Sequence, residues 1–504
     1  MPPTIRIRLL PLDQTLEVPA GTSLQDVLFP QGVEFPCGGR GRCKGCRIRV
    51  LAGALPVTPD DERLLSAEER AAGWRLSCRA RPEADVQLEL AQWEAAILAD
   101  ESTFSFTPQE GLGVAVDLGT TTIVAQLLDL RTGHVLGVRT ALNQQARHGA
   151  DIMSRVDFGL TPEGKSTLRQ LVREQIGALI AGLAEPAGAD RLRRVVIVGN
   201  TVMHHLFCDV GVEPLAHHPF EPVDDGLKTF RATELGWPGL KEAGVQFLPS
   251  LGGFVGSDIL AGILATRLDE REELVGLVDL GTNGEMVIGN RDRLLCASTA
   301  AGPAFEGARI SMGMRAATGA IAEVEVRDGA LACRVLGHGP PRGICGSGLV
   351  DAVAGGLALG MIQPTGRLAG GGALPLVPPV TVTQTDIREL QLAKGAIAAG
   401  VKLLVRQWGA AIEDLTVLYL AGAFGNYINR ASAHRIGLLP VPPAKVEAAG
   451  NTALLGAKLA LFQPGLEAAH YASLRQRVRH VSLNDDPEFH EVYVSEMQFP
   501  PDPV

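Results

Sequence analysis

Hydrophobic and polar residues alternate along the first ninety residues, and the pattern changes after residue 110. The segments IRIRLL and TLEVPA alternate with a period of two, as the strands of a hairpin do. In GTSLQDVL, Thr22 or Ser23 precedes a short helical pattern as its cap, and RIRVLAG and VQLEL predict two further strands. Residues 1–90 are therefore predicted to form a small β-rich domain.

The pattern of hydrophobic and polar residues changes after residue 90. Residues 91–110 lose the alternation and are predicted to be a linker. From residue 111 apolar strands alternate with helical segments, which is typical of an α/β fold. The sequence VDLGT occurs at 116–120 and again at 278–282, each time between two apolar strands. Residues 111–504 are therefore predicted to be one duplicated domain of two lobes, the second starting near residue 270.

Composition narrows the class of protein. A chain of 504 residues with 46% hydrophobic residues is large enough for more than one core. The net charge of −10 is spread along the chain, which argues against bulk nucleic-acid binding. The N-terminus alternates charged and apolar residues, and the most apolar segments are about ten residues long, against roughly 20 for a membrane span. We therefore expect a cytoplasmic protein that binds neither nucleic acid nor a membrane.

Four of the eight cysteines lie near the start of the chain, at Cys37, Cys43, Cys46 and Cys78. A structural zinc site usually takes its ligands from two CxxC knuckles, and only one is present. A redox dithiol would leave Cys37 and Cys78 unexplained. A [2Fe–2S] cluster accounts for all four, with three thiolates from a glycine-rich loop and one from a distant strand end. Zinc remains the alternative.

The cysteine loop and its flanking strands resemble the ferredoxin family with a β-grasp fold, over residues 3–90. The resemblance implies a low reduction potential, on the order of −400 mV for plant-type clusters. Five basic residues crowd the loop, and they either solvate it or dock an acidic electron-transfer partner. They are Arg40, Arg42, Lys44, Arg47 and Arg49.

One phosphate-binding motif is interpreted as a chance match. Residues 159–166, GLTPEGKS, satisfy the pattern G-x4-G-K-[ST] in full. A P-loop needs a buried apolar strand running into it, and the preceding DIMSRVDF is half polar. We expect Ser166 and Thr167 to cap a helix instead.

The two VDLGT copies are the stronger nucleotide motif. A strand that ends in Asp, followed by glycine and hydroxyl residues, offers amides and hydroxyls to phosphates, while the carboxylate holds Mg²⁺ or its water. The pattern resembles the ASKHA superfamily, which includes actin, Hsp70 and sugar kinases. The resemblance implies phosphate motifs at 117–122 and 279–285, an adenosine motif in LYLAGAFGNYI, and two connecting helices in VGSDILAGIL and GNTALLGAKLAL.

These motifs give the candidate site residues. Asp117 and Asp279 are the candidate catalytic residues. The residues implied to bind nucleotide are Gly119, Thr120, Thr121, Thr122, Gly281, Thr282, Asn283, Gly346, Ser347, Gly422, Gly425 and Asn426.

The neighbouring histidines and the four remaining cysteines are predicted to have structural roles. Neighbouring histidines at 204–205 and 217–218 point to different faces of an element, so packing or surface roles are favoured over metal binding. Cys208, Cys296, Cys333 and Cys345 lack ligand spacing and are expected to be buried small hydrophobes. The segments NQQARHGADIMSRV and AGPAFEGARISMGM offer no derivable chemistry.

The combined architecture resembles the ATP-dependent reductive activators of corrinoid proteins. The resemblance implies ATP, Mg²⁺ and a [2Fe–2S] cluster as cofactors, an upstream electron donor, and reduction of Co(II) to Co(I) in a corrinoid protein of a methyltransferase system. Longer members carry a separate middle domain associated with dimerisation, where this chain has about twenty linker residues, so no oligomeric state is predicted. A small-molecule kinase of the ASKHA superfamily and a non-enzymatic, nucleotide-bound redox sensor are the alternatives.

Overall fold

The computed structural model describes most of the chain. The described residues are 3–10, 14–28, 33, 41, 46–90, 106–149, 151–241, 243–281, 283–307, 309–314, 316, 319–336, 340–463 and 468–501. None of the helices within these ranges is long and apolar enough to cross a membrane. Of the predicted linker, residues 91–105 lie outside them.

In its described residues, the N-terminal domain has one mixed sheet and three short helices. Its elements are β1 (Thr4–Leu10), β2 (Gln14–Pro19), α1 (Leu24–Leu28), β3 (Arg47–Ala52), α2 (Pro59–Leu64), α3 (Ala67–Ala71), β4 (Trp74–Leu76) and β5 (Val86–Leu90). The strand order is β2-β1-β5-β3-β4. The predicted hairpin is present, because β1 and β2 pair antiparallel, while β1 and β5 are parallel neighbours. The ferredoxin-like β-grasp prediction is confirmed.

The next segment forms the first lobe. Its elements are β6 (Leu112–Leu118), β7 (Thr122–Asp129), β8 (Val135–Leu142), α4 (Ile152–Phe158), α5 (Pro162–Ala184), β9 (Leu192–Gly199), α6 (Thr201–Cys208), β10 (Lys228–Arg231), β11 (Gly244–Phe247) and α7 (Ser257–Thr266). The strand order is β10-β11-β9-β6-β7-β8. The central strand β6 is buried along most of its length, as an apolar strand covered on both faces must be.

The second lobe follows. Its sheet strands are β12 (Val275–Leu280), β13 (Gly284–Gly289), β14 (Leu294–Thr299), β20 (Val417–Ala421), β21 (Val446–Gly450) and β22 (Val478–His480). Shorter strands are β15 (Ala320–Arg327), β16 (Ala330–Val335), β17 (Gly343–Ile344), β18 (Ala373–Pro375) and β19 (Thr381–Thr383). The helices are α8 (Gly346–Ala358), α9 (Gln384–Trp408), α10 (Gly422–Tyr427), α11 (Arg430–Arg435), α12 (Thr452–Phe462), α13 (Ala468–Arg477) and α14 (Phe489–Glu496).

The two large sheets share the order of five strands and differ in the sixth, which is β10 at one edge of the first sheet and β22 at the opposite edge of the second. The second is ordered β21-β20-β12-β13-β14-β22, so β6, β7, β8 and β9 of the first lobe correspond to β12, β13, β14 and β20. In both lobes the first strand pairs antiparallel with the next one and parallel with the strand on its other side. The duplication predicted from the repeated VDLGT is confirmed.

Two helices connect the lobes at close range. Helices α7 and α12 pack on each other, and a Cβ built on Gly456 would lie 2.2 Å from the carbonyl oxygen of Ala261. On the facing helix, a Cβ on Gly262 would lie 3.2 Å from Oγ1 of Thr452. Small residues therefore allow the two backbones to approach where larger ones would separate them.

Candidate functional site

Each VDLGT hairpin is closed by a hydrogen bond from the amide of its glycine. In the first, the amide of Gly119 donates to the carbonyl oxygen of Thr122 at 3.0 Å. In the second, the amide of Gly281 donates to the carbonyl oxygen of Asn283 at 3.1 Å. Thr282 lies outside the described residues. The duplicated sequence thus produces a tight turn at the end of each central strand, with four residues between the paired strands in the first and three in the second.

Both turns line one cavity of about 500 Å³. Its walls include most of the predicted nucleotide-binding residues: Gly119, Thr120, Thr121, Thr122, Gly281, Asn283, Gly346, Ser347 and Gly422. Asp117 and Asp279 line it as well. The predicted Gly425, in α10, does not line it, and a Cβ there would lie 3.3 Å from the backbone of Leu420 in β20. The cavity is of a size that takes small-molecule ligands.

Asp117 and Asp279 sit at the ends of β6 and β12, where removal from solvent disfavours their charged forms. Burial raises the pKa of Asp117 to about 6, opposed by a hydrogen bond from Asn451. Burial and the nearby charge of Asp117 raise the pKa of Asp279 to about 7. Two carboxyl groups that repel each other in one cavity are a place where a cation is favoured.

Two further acidic residues join them, and neither was assigned a role from the sequence. Asp258 lies in the first turn of α7, and burial together with Asp279 raises its pKa to about 7. Glu285 is the strand partner of Asp279, and burial together with Asp258 raises its pKa well above the ordinary value. Glu285 is the last residue of the predicted phosphate motif 279–285, and Asp258 lies in the predicted connecting helix VGSDILAGIL, but neither was a candidate site residue.

The arrangement of the four acidic side chains determines how this cavity could bind a metal ion. No group of three or more His, Cys, Asp or Glu side chains within the described ranges is arranged to enclose an ion. Magnesium in nucleotide sites usually keeps several waters and takes one or two carboxylates together with phosphate oxygens. The carboxylates of this cavity fit an ion held in that way.

Two asparagines each serve a helix and the cavity. Asn451 caps α12 by accepting from the amide of Leu454 at 2.8 Å, and its Nδ2 donates to Oδ2 of Asp117 at 3.0 Å. Asn200 caps α6 by accepting from the amide of Met203, and its Nδ2 donates to Oγ1 of Thr120 at 2.9 Å. Each cap therefore fixes the orientation of a side chain in the first phosphate motif.

A fully buried arginine supports the same motif from behind. Arg155 donates to the carbonyl oxygen of Thr120 at 2.6 Å and to that of Gly149 at 2.9 Å. Burial lowers the pKa of its guanidinium to about 10. Arg155 belongs to the segment NQQARHGADIMSRV, so a stretch without derivable chemistry holds the turn after β6 in place.

The adenosine motif lies at a turn from strand to helix, as predicted, with β20 running into α10. Gly422 has a φ of +81°, and a Cβ there would lie 2.5 Å from Oδ1 of Asp279. Only glycine fits this position. Phe424 stacks on Phe305 with ring centroids 4.7 Å apart, and both rings line the cavity. Phe305 comes from AGPAFEGARISMGM, the other segment without an assigned role.

The P-loop match is not a P-loop in the structure. Its residues follow helix α4 rather than a strand, and they form the first turn of α5. Lys165 forms an ion pair with Asp209 at 3.0 Å. The prediction that Ser166 and Thr167 cap the helix is wrong, because Thr161 is the cap and its Oγ1 accepts from the amide of Gly164. The helix starts at Pro162, five residues earlier than the expected start at Thr167.

The structure brings two of the predicted cluster ligands together. Strand β3 pairs with β4 so that Arg47 faces Leu76, which places Cys46 beside Ser77. The amide of Ser77 donates to the carbonyl oxygen of Cys46 at 3.1 Å. Cys46 and Cys78 are both buried. Cys37 and Cys43 lie outside the described residues, as do Arg40, Arg42 and Lys44.

The remaining histidines and cysteines have mixed outcomes. His204 and His205 are buried in α6, and burial lowers the pKa of His204 to about 3, which fits the packing interpretation. Cys296 and Cys345 are buried as expected. Cys208 and Cys333 are only partly buried, so that expectation was wrong for them.

Comparison with known proteins places these features in one family. A model described as a 2Fe–2S iron-sulfur cluster binding domain matches residues 7–83. The "RACo middle region" matches 112–271, and the "C-terminal domain of RACo the ASKHA domain" matches 273–504. The region that the family calls middle is therefore present in this chain, as the first lobe, directly after the linker.

Individual relatives span most of the chain. It is 35% identical to "Corrinoid activation enzyme RamQ" of Eubacterium limosum, over 77% of this chain and 70% of that one. It is 29% identical to "[Co(II) methylated amine-specific corrinoid protein] reductase" of Methanosarcina barkeri, over 77% of each. A solved structure, "Reductive activator for corrinoid,iron-sulfur protein", matches with a TM-score of 0.70 and 27% identity over 99% of both chains.

Proposed function

This chain belongs to the family of corrinoid activation enzymes, and from that premise we propose that it is an ATP-dependent reductive activator. It would return an inactive Co(II) corrinoid protein to Co(I) by one-electron reduction. The observation that carries the proposal is the cavity between two duplicated hairpins, in a chain that also holds a ferredoxin-like domain. A nucleotide site alone would not explain the ferredoxin-like domain, and that domain alone would not explain a nucleotide site.

We propose the following roles in the cavity. Asp117 and Asp279 orient Mg²⁺ and the attacking water, since phosphoryl transfer depends on charge neutralisation and in-line positioning. The hydroxyl and glycine residues of both turns, including Thr282, bind phosphates. Gly346, Ser347, Gly422 and Asn426 bind the nucleoside, whereas Gly425 is given no contact with it because it does not line the cavity. Asp258 and Glu285 add negative charge that favours the bound cation.

In the ferredoxin-like domain, Cys37, Cys43, Cys46 and Cys78 are proposed as the ligands of the [2Fe–2S] cluster. Such a cluster supplies single electrons at low potential. Cys46 and Cys78 are held side by side by the pairing of β3 and β4, which fits ligands that must converge. Because thiolate ligands and ATP are found together in the reducing cytoplasm, we infer that the protein works there.

The partner is proposed to be the corrinoid protein of a methyltransferase system, with a separate upstream electron donor. The two relatives support this, since one is a corrinoid activation enzyme and the other is a reductase of a Co(II) methylated amine-specific corrinoid protein. We propose that the domain before the predicted boundary at 90 supplies the electron and that the domain after the boundary at 110 turns over the nucleotide.

The experiment is to measure ATP hydrolysis by the reduced protein with and without a Co(II) corrinoid protein. We expect hydrolysis to rise when the partner is added, together with the absorption of Co(I). A phosphorylated small molecule with no response to the partner would favour the kinase alternative. Bound nucleotide without turnover in either condition would favour the redox sensor.

A further inference from the structure

A glutamine of the ferredoxin-like domain lines the cavity of the two lobes. Gln25 lies in α1, and only 7% of it is exposed. Leu24 and Leu28 of the same helix are fully buried in the core. Gln25 instead borders the space that Asp117 and Thr120 also line. The nucleotide cavity is therefore built from three parts of the chain, not from the two lobes alone.

The side-chain amide of Gln25 makes no hydrogen bond with the part of the chain that the structure describes. The polar atoms of this amide are not sealed in the core but open onto the cavity, where a ligand could pair with them. A glutamine amide offers two donors and one acceptor. A nucleotide in the cavity has oxygens that would pair with the donors.

The helix that carries Gln25 is tied directly to the cluster end of the domain. The amide of Leu24 donates to the carbonyl oxygen of Ala80 at 3.0 Å, and the amide of Ala80 donates to that of Ser77 at 3.2 Å. Cys78 lies between these two residues in the chain. A change in the position of α1 is thus passed to the turn that carries a proposed cluster ligand.

We propose that the amide of Gln25 donates a hydrogen bond to a phosphate or ribose oxygen of the bound nucleotide. The inference rests on the proposed ATP site and extends it. The ferredoxin-like domain then completes the nucleotide site, and loading of that site fixes the position of the cluster domain against the lobes. This gives a direct contact between nucleotide binding and the part of the chain that delivers the electron.

The test compares three full-length variants: Gln25→Ala, Gln25→Glu and, as a matched control, Gln87→Ala. Gln87 lies in β5 of the same domain, is partly buried and does not line the cavity. Affinities for ATP and for adenosine are measured by calorimetry, with the visible absorption of the cluster as the check of folding. We expect Gln25→Ala to weaken ATP binding roughly tenfold, as loss of a hydrogen bond to a charged group does.

Gln25→Glu should weaken ATP binding further, because a carboxylate cannot donate and repels phosphate, while Gln87→Ala should leave it unchanged. If adenosine binding falls by the same factor, the partner is the ribose; if only ATP binding falls, it is a phosphate. Equal ATP affinity in wild type and both Gln25 variants would overturn the inference.

Hydrogen exchange gives an independent measurement. A non-hydrolysable ATP analogue should slow amide exchange in α1 of the wild type and of Gln87→Ala, but not of Gln25→Ala. No slowing in the wild type would overturn the inference. Both measurements omit the corrinoid protein. If the wild type binds no ATP the proposed function fails, whereas normal ATP binding in the Gln25 variants removes only the role of Gln25.

Discussion

At the scale of single residues, the cavity is held in an electrostatically unfavourable state that a bound cation would relieve. Asp117, Asp258, Asp279 and Glu285 all have a raised pKa, and burial is the first cause for each. Mutual repulsion adds to burial for three of them. Raised pKa values in a cleft are typical of functional sites, because the same desolvation strengthens binding of the intended charge.

Replacement of Asp279 by alanine should abolish ATP hydrolysis and leave the cluster assembled. The carboxylate is proposed to orient the cation and the water, and its loss should lower turnover by at least about 100-fold. Initial rates of phosphate release and the visible spectrum would be recorded for each variant. Asp292→Ala, on an exposed turn of the same lobe, should hydrolyse ATP normally. Turnover by Asp279→Ala would show the site assignment to be wrong.

The nucleotide-free protein should respond to pH through Asp258. Its pKa is raised from 3.8 to about 7. Between these two pH values the folded chain holds a proton that the unfolded chain has released. The stability this contributes is present at low pH and is lost as the pH rises through about 7.

Asp258→Asn should therefore raise the melting temperature at pH 8 by about 3 °C and by a smaller amount at pH 5, where only part of this stability has been lost. Differential scanning fluorimetry at both pH values checks this. Asp328→Asn changes an exposed residue in the turn between β15 and β16, and should melt like the wild type at each pH. A shift of equal size at pH 5 and pH 8 would contradict the electrostatic explanation.

At the scale of secondary-structure elements, two residues that cap helices also contact side chains of the cavity. Asn200 and Asn451 each accept from their own helix through Oδ1 and donate into the first phosphate motif through Nδ2. Asn429 caps α11 in the same way but makes no contact with the cavity. Asn200 and Asn451 therefore cap a helix and also contact the first motif, whereas Asn429 only caps a helix.

Asn451→Asp should keep the cap and lose the site contact. Aspartate caps a helix about as well as asparagine, but it cannot donate to Asp117 and repels it. We expect ATP hydrolysis to fall at least tenfold, while circular dichroism shows an unchanged helix content. Asn429→Asp is the control and should change neither quantity. Equal activity of the two variants would mean that the contact with Asp117 has no part in turnover.

At the scale of the whole molecule, the two lobes meet through the helices α7 and α12, and the ferredoxin-like domain reaches the cavity between them. The core reflects this, since Ile7 and Leu88 of the first domain belong to the same cluster of buried residues as Val275 and Leu461. The close crossing at Gly456 fixes how the lobes face each other.

Gly456→Ala should disturb this crossing. A Cβ 2.2 Å from the carbonyl oxygen of Ala261 forces the helices apart, and overpacking of this kind costs about 1–3 kcal/mol. We expect a lower melting temperature and slower ATP hydrolysis. Gly182→Ala makes the same substitution in α5 with nothing within 4 Å, so it should be neutral or slightly stabilising. Equal melting temperatures for the two variants would contradict the packing argument.

Much of the fold was predictable because its signals are local. The hairpin of β1 and β2 follows from a period of two, and the duplication follows from a repeated turn sequence whose geometry depends on a few neighbouring residues. The capping of α5 was mispredicted because Thr161 and Thr167 both suit a cap, and the outcome depended on where Pro162 started the helix.

What the sequence determined by itself was the chemistry of the parts: cysteines in a ferredoxin-like domain, and two turns that end in Asp and carry hydroxyls. Only the tertiary structure decided which distant residues join them. Asp258, Arg155 and Asn451 come from separate helices and enter the site through packing, which leaves no mark in local sequence. Gln25 is the furthest case, because its place in the cavity depends on how a separate domain rests against both lobes.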